Sequence, residues 1–258
     1  MKRFTTALAA AALAVAAGTA SVSAGEELRI GVEGAYPPFS WKEADGSLKG
    51  FDIDITFALC EKMGRECTLV EQDWDGMIPA LLARKYDAIV ASMSITEERK
   101  KRVDFTVKYY NTPARFVAAE GSDLDVSPAG LAGKAVGVQR GTTHQCFMEK
   151  LFPEADLRLY QTQEEVFLDL AAGRLDAQFS DALQADEGFL KLDAGKGFAF
   201  VGGPQYDLEC HGEGAGVALR KGEDELLQAF NAAILAIRED GTYKSINDKY
   251  FDFDVYGD

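Results

Sequence analysis

Two periodicities divide this chain. Strict alternation marks Leu28–Val32 as a strand, and short apolar runs mark Cys67–Val70, Asp87–Val90, Arg115–Ala119, Ala135–Val138, Leu157–Tyr160, Ala177–Asp181, Phe198–Val201 and Gly216–Leu219. Helical spacing predicts helices over Asp52–Met63, Trp74–Arg84, Thr143 to about Leu151, Glu164–Ala172, Ala182–Leu192, Glu223–Arg238 and Thr242–Tyr250. Prolines make Tyr36–Phe39 an extended loop, and Trp41–Gly50, with Asp45-Gly46 inside it, reads as a hairpin-like excursion. Repeated strand–helix units predict an α/β protein built on mixed, mostly parallel sheets flanked by helices. Two similar lobes fit better than one long sheet. Lobe one takes residues 25–110 and, after a return crossover, 206–258; lobe two takes 111–205. The segments Asp104–Pro113 and Pro204–Gly214 then form a two-stranded hinge.

The first 24 residues stand outside this pattern. Lys2 and Arg3 precede the apolar run Ala7–Ala17, and Val22-Ser-Ala24 is a small-x-small cleavage signal. That run is too short for a stable membrane span. We expect a signal peptide cleaved after Ala24 and a soluble exported protein. Loss of Lys2 and Arg3 takes the formal charge from −15 to −17. Such an acidic chain repels phosphate backbones and anionic lipid, so nucleic acid and membrane surfaces are poor partners, while cationic small molecules are favoured.

Four cysteines in an exported chain point to disulfides. On one unbroken helix Cys60 and Cys67 would sit roughly 10 Å apart, too far for a bridge. Gly64 between them can end the helix and turn the chain back, so Cys60–Cys67 is the expected pair. Cys146 and Cys210 are left as a candidate second pair. A metal site is not expected, because only His144 and His211 are available to assist scattered cysteines.

The stretch Ala91–Arg99 follows a predicted strand. Ser94 and Glu97 fit an S-x-x-E capping box with a helix beginning at Ile95. Free N–H groups, two hydroxyls from Ser92 and Ser94, and the Arg99 guanidinium together suit a carboxylate. From local pattern alone, a surface turn with an exposed arginine explains the stretch equally well. Two further candidates end lobe-two strands: Thr142, Thr143 and His144, which open a helix, and Asp181. Open α/β sheets bind ligands at such strand ends. Arg99 suits a carboxylate and Asp181 an ammonium, which together describe an α-amino acid held between lobes. Catalysis has little support: no Ser/His/Asp set, G-x-S-x-G or Walker loop appears, and Gly212-Glu-Gly-Ala-Gly216 precedes a strand rather than a helix.

Longer motifs carry a resemblance. Gly50-Phe-Asp-Ile-Asp-Ile-Thr-Phe-Ala-Leu-Cys-Glu-Lys-Met63, Ser92–Arg99, Val103-Asp-Phe-Thr106, Gly141-Thr-Thr143, Asp240-Gly-Thr-Tyr243 and Lys249–Gly257 resemble the periplasmic amino-acid-binding proteins of ABC importers, solute-binding family 3. The likeness covers essentially the whole mature chain and is nearest the lysine/arginine/ornithine- and histidine-binding branch. It implies a type II two-lobe fold and a disulfide matching Cys60–Cys67. It also implies that Arg99 pairs with the ligand carboxylate, with the Ser94 and Thr143 N–H groups beside it. Asp181 would take the α-ammonium, assisted by Ser92, and Tyr36 and Trp74 would sandwich the ligand side chain. No cofactor is implied. The partners implied are a basic L-amino acid and an inner-membrane permease, with the protein a periplasmic monomer.

Three positions depart from the branch. Glu33 stands where relatives often carry Asp to meet a cationic side chain. Ala91 replaces a frequent Ser, so only its backbone can contribute. His144 replaces a frequent Gln. Asp52 is a weaker candidate for the cation end. Two other functions share the scaffold: a periplasmic dehydratase acting on arogenate or prephenate, and a receptor for opines, which needs a roomier cleft.

Overall fold

The computed structural model describes Glu27 to Gly257; the expected leader lies outside the described residues. Strand β1 (Leu28–Val32) leads into a small antiparallel excursion, β2 (Ala35–Tyr36), β3 (Ser40–Lys42) and β4 (Leu48–Lys49). Helix α1 (Phe51–Met63), β5 (Cys67–Glu71), α2 (Met77–Leu82), β6 (Ala88–Ile89), α3 (Glu97–Lys100) and β7 (Val103–Tyr110) follow. Next come β8 (Ala114–Ala119), β9 (Ala135–Gln139), α4 (Thr143–Leu151), β10 (Asp156–Tyr160), α5 (Gln163–Ala171), β11 (Ala177–Asp181), α6 (Ala182–Ala185) and β12 (Phe198–Gln205). Helix α7 (Leu208–His211), β13 (Ala215–Arg220), α8 (Asp224–Glu239) and α9 (Thr242–Tyr250) complete the described chain.

Two five-stranded sheets share one layout, β5-β1-β6-β13-β7 and β10-β9-β11-β8-β12. Each is mixed, with two parallel pairings followed by two antiparallel ones. The parallel half is what strand–helix alternation signals. The antiparallel half contains the strands that enter and leave at the crossovers. The chain passes from sheet one to sheet two between β7 and β8 and returns from β12 to β13.

Alternation along the strands divides each core into two layers. On sheet one, Ile30, Val32, Val90 and Val217 pack against α1, α8 and α9, whose Ile55, Leu59, Phe230 and Ile234 are fully buried. Ile89 and Ala218 face the other way, onto Met77 and Leu81 of α2 and onto Tyr86. On sheet two, Phe116, Val136 and Val138 meet Phe147 and Met148 of α4, while Val117 and Ala135 meet Val166, Phe167 and Leu170 of α5. These layers fix where each strand ends, and the ends build the cleft.

Helix α1 stops at Gly64, whose left-handed φ of 65° lets Arg65 N–H reach the Cys60 carbonyl at 3.0 Å. That reversal brings Cys67 to Cys60, with Cα atoms 6.2 Å apart in a formed disulfide. Cys146 and Cys210 are also bonded, joining α4 to α7.

Several local expectations are corrected. Ser94 and Glu97 form no capping box. Ser94 is held in a bridge to Ala215, and α3 begins later, with Thr96 Oγ1 accepting the Arg99 N–H at 3.3 Å. The backbone donors expected from a longer helix at Ile95 are therefore spent on sheet pairing, as in Ile95 N–H to Gly214 O at 2.8 Å. Trp74–Gly76 is a 3₁₀ turn, and α2 is shorter than the periodicity predicts. Beyond α6 the helix loosens into a π segment, Asp186–Leu190. Tyr36 pairs in β2, and Pro37–Phe39 form a turn closed by Phe39 N–H to Tyr36 O at 2.9 Å. The second connector contains α7, which its turn-rich sequence does not announce.

Candidate binding site

A cavity lies between the two sheets, with about 630 Å³ of empty space counting the part open to solvent. Lobe one contributes Glu33, Tyr36, Trp74, Ala91, Ser92, Ser94 and Arg99; lobe two contributes Thr143, His144 and Asp181. All ten were expected at the site. Asp52, a candidate for the cation end, does not line it: it is buried one layer back, accepting from Ser92 Oγ at 2.8 Å and Tyr109 OH at 2.9 Å. The second position of α1 faces the core, so Asp52 orients Ser92 from behind the cavity.

One end of the cavity is built for an anion. Arg99 is half-buried and has no carboxylate on it. Its guanidinium donates to Ser94 O at 3.0 Å and Gly141 O at 3.4 Å and lies 5.2 Å from the Trp74 ring centre. Burial lowers its pKa to about 10, the mark of a cation without an anion. Across the cleft, Thr142 caps α4 by accepting the Gln145 N–H, which leaves first-turn N–H groups at Thr143 and His144.

The middle of the cavity suits an ammonium. Asp181 ends β11 and caps α6, accepting Leu183 N–H at 2.8 Å and Gln184 N–H at 3.1 Å, and the Thr112 hydroxyl donates to its other oxygen. Burial raises its pKa to about 6 despite those bonds. Ser92 lies opposite with φ at 53°, a left-handed conformation that is costly for a side-chain-bearing residue. Its N–H donates to Tyr109 OH at 3.0 Å and its hydroxyl proton goes to Asp52, leaving its oxygen lone pairs to accept.

The far end is acidic. Glu33 follows β1, and its pKa is pushed up to about 7, chiefly by burial. Gln139, at the end of β9, donates to it across the cleft at 2.5 Å and also reaches Gln161 O at 3.1 Å. Asp52 is likewise raised to about 7 by burial, which outweighs its bonds from Ser92 and Tyr109. His144 is buried, and its pKa is lowered to about 3 by desolvation, then by His211 and Arg99, so it is neutral.

The lobes are closed on one another. Arg140 pairs with Asp75 at 2.8 Å, Gln161 donates to Asp73 at 2.8 Å, and Trp74 Nε1 donates to Gly141 O at 3.1 Å. Gln139, Thr112 and His211 line the cavity and were not expected there as ligand-facing groups. Gln139 was findable, since it ends a strand beside Gly141. Thr112 and His211 come from the crossovers, whose local sequence carries no signal of what they face.

Fold and cleft together define a two-lobe ligand-binding protein of the type II periplasmic architecture. More narrowly, the chain belongs to the bacterial extracellular solute-binding proteins, family 3, whose model matches residues 28–253. It is 55% identical to the L-arginine-binding protein of Pseudomonas aeruginosa, over 91% of this chain and 92% of that one. It is 46% identical to the lysine/arginine/ornithine-binding periplasmic protein of Escherichia coli K12, over 90% of each chain. Among solved structures, an ancestral arginine-binding protein bound to arginine superposes with a TM-score of 0.81 at 38% identity, over 87% of this chain and 98% of that one.

Proposed function

We propose that this protein binds a basic L-amino acid, of the arginine, ornithine, lysine or histidine class, in the periplasm, as the solute-binding component of an ABC importer. One observation carries the choice: the cleft sets two carboxylates, the buried Asp181 and the half-buried Glu33, against a single guanidinium, Arg99. A neutral zwitterion matches Arg99 and Asp181 and leaves Glu33 without a cation. A basic side chain supplies it.

In this reading Arg99, with the Ser94 and Thr143 N–H groups, takes the carboxylate. Asp181 takes the ammonium, with Ser92 and Thr112 as oxygen partners. Glu33 meets the side-chain cation, and Tyr36 and Trp74 flank it, a contact worth about 0.5–2 kcal/mol. Ala91 offers backbone alone and His144 a neutral ring. Each lobe holds only part of this set, so ligand bound to one lobe recruits the other and favours closure.

Lobe one is residues 25–110 with 206–258, which holds the return crossover and then the second part of lobe one, and lobe two is 111–205, a division supported by sheet membership. The mature chain begins after Ala24, acts as a monomer, and delivers its ligand to a membrane permease without chemical change. Binding rather than dehydration is supported by the names of the relatives and by a cleft whose charges match an amino acid.

Calorimetric titration with the twenty L-amino acids, octopine, arogenate and prephenate tests the proposal. Micromolar or tighter binding of a basic amino acid, about −8 kcal/mol or better, is expected. Equal affinity for glutamine and arginine would overturn the role of Glu33. Turnover of arogenate would overturn the binding-only reading.

A further inference from the structure

One imidazole of the return crossover, packed on lobe-two Phe147, is held as though to serve the cavity, yet no ligand group has been assigned to it. His211 ends α7 and lines the cavity beside Ser94, Thr143 and His144. Its Nδ1 accepts the backbone N–H of Asp207 at 3.0 Å, so the neutral ring carries its proton on Nε2. That Nε2–H is buried and has no hydrogen-bond partner. A buried donor without an acceptor is destabilising, and such groups are rare in folded proteins.

The ring cannot easily turn away. It lies between Phe147, at 5.0 Å, and Tyr206, stacked at 5.9 Å with an interplanar angle of 21°. The preceding residue, Cys210, is bonded to Cys146 on α4, the helix whose first turn borders the cavity. The following residue, Gly212, has φ of 70° and lies so close to lobe one that a Cβ there would fall 1.9 Å from Ile95 O. Three residues further on, Ala215 bridges Ser94. These contacts place His211 at the Arg99–Ser94–Thr143 end of the cleft, away from Glu33. The His144 ring centre is 6.1 Å away, and no hydrogen bond joins the two imidazoles.

We propose that His211 is a further ligand-binding residue whose Nε2–H donates to the carboxylate of the bound amino acid. The Cys146–Cys210 bond and the Asp207 N–H act as its positioning groups. A neutral donor adds a bond to the carboxylate without a second positive charge at that end, and so without repelling a basic ligand. The inference rests on the proposed basic-amino-acid ligand.

His211→Phe keeps a flat ring between Phe147 and Tyr206 but removes the donor. His211→Gln restores an N–H near the Nε2 position. Calorimetry with L-arginine should show about ten- to hundred-fold weaker binding for His211→Phe, the range for a bond to a charged group, and recovery to within about three-fold for His211→Gln. In the wild type, a long-range ¹H–¹⁵N spectrum should show the His211 Nε2 proton shifting downfield when L-arginine is added.

Wild-type affinity in His211→Phe overturns the proposal, as does equal loss in both variants, which marks a packing role. A loss that disappears in a His144→Ala background routes the effect through His144 and also overturns direct contact. A wild-type protein that binds glutamine but not arginine, with the Nε2 proton still shifting, overturns the basic-ligand reading alone. Absence of any amino-acid binding overturns both.

Discussion

Lobe one holds two arginines that face opposite electrostatic surroundings. Arg220, at the end of β13, has a side chain 10% exposed and is fully engaged. It pairs with Glu223 at 2.7 Å and Asp87 at 3.4 Å, and donates to Leu81 O at 3.1 Å and Tyr86 O at 2.6 Å. Asp87 also receives Arg29 through two side-chain bonds, at 3.1 and 2.9 Å. Burial alone would raise the Asp87 carboxyl, but the two guanidinium groups outweigh it and hold it below its ordinary value. Arg99 has carbonyls and a tryptophan face instead, and the acids sharing its cavity have raised pKa values. The charges around Arg220 are neutralised within the fold. Those around Arg99 are held apart and desolvated, an arrangement that suits opposite charge from outside. Separation of desolvated charge, rather than its presence, distinguishes the proposed binding site from the structural cluster.

The sharpest way to break that contrast is to truncate both arginines. Arg99→Ala should weaken L-arginine binding by at least about a hundred-fold, because the ligand carboxylate loses its buried partner. The ligand-free melting temperature should stay level or rise, since a desolvated cation is removed. Arg220→Ala should do the reverse. It takes the buried donor from Glu223 and from the Leu81 and Tyr86 carbonyls, leaves Asp87 with Arg29 alone, and costs about 3–5 kcal/mol of stability, while the folded fraction keeps its affinity. Calorimetry and thermal denaturation of the two variants decide the matter; matching profiles would erase the distinction.

Within the cleft, Glu33→Gln separates recognition of the amino-acid core from recognition of the side chain. It keeps the shape and can still pair with Gln139, but removes the charge. Arginine and ornithine should bind about ten-fold or more weaker, an effect of about 1.4 kcal/mol, while a neutral amino acid changes little. Equal losses would show that Glu33 does not sense side-chain charge.

The fold was legible because both periodicities are strong, and because Gly64 both ends α1 and permits the Cys60–Cys67 bond. Ala91–Arg99 was legible as an anion site for a partly mistaken reason. Ala91, Ser92, Ser94 and Arg99 do line the cleft, but Thr96 rather than Ser94 caps α3, because pairing with β13 claims the Ser94 segment first. Sheet pairing from residues 120 positions away is invisible to a local capping motif. Asp52 illustrates the same limit: an acid at the start of a helix looks available until Ser92 and Tyr109 are seen to close over it. Arg99 and Arg220 cannot be told apart in one dimension, since each has one partner nearby in the chain and the rest arrive from distant segments, Gly141 and Trp74 for Arg99 and Leu81, Tyr86 and Asp87 for Arg220.

The raised carboxyls give a pH signature with a definite sign. Ligand-free Glu33 and Asp52 titrate at about 7 and Asp181 at about 6, above their unfolded values because burial disfavours the anion. Each therefore contributes stability that is present below about pH 4 and lost as pH rises through its folded pKa. His144 and His211, lowered to about 3 and about 4, act oppositely: their neutral burial costs stability as pH falls below about 6.5. A bound cation favours the ionised acids, so binding should release protons between about pH 5 and 7. Affinity should rise with pH across that window, by at most about ten-fold per unit for each proton released. Calorimetry in two buffers of different ionisation enthalpy measures the release directly. Proton uptake, or tighter binding at pH 5 than at pH 7, would contradict the desolvated-acid description.

The smallest effect tests the corrected cap. Thr96→Ala removes the acceptor for the Arg99 N–H and should cost about 1 kcal/mol, seen as a lower melting temperature. Ser94→Ala should cost clearly less, because the Ser94 hydroxyl caps nothing. Both should still bind L-arginine, with Thr96→Ala the weaker, since α3 carries Arg99 and a frayed first turn lets the guanidinium drift from the cleft. If Ser94→Ala proves the more destabilising, the original box is formed in solution. Arg99 would then be positioned by its own helix rather than by the neighbouring sheet.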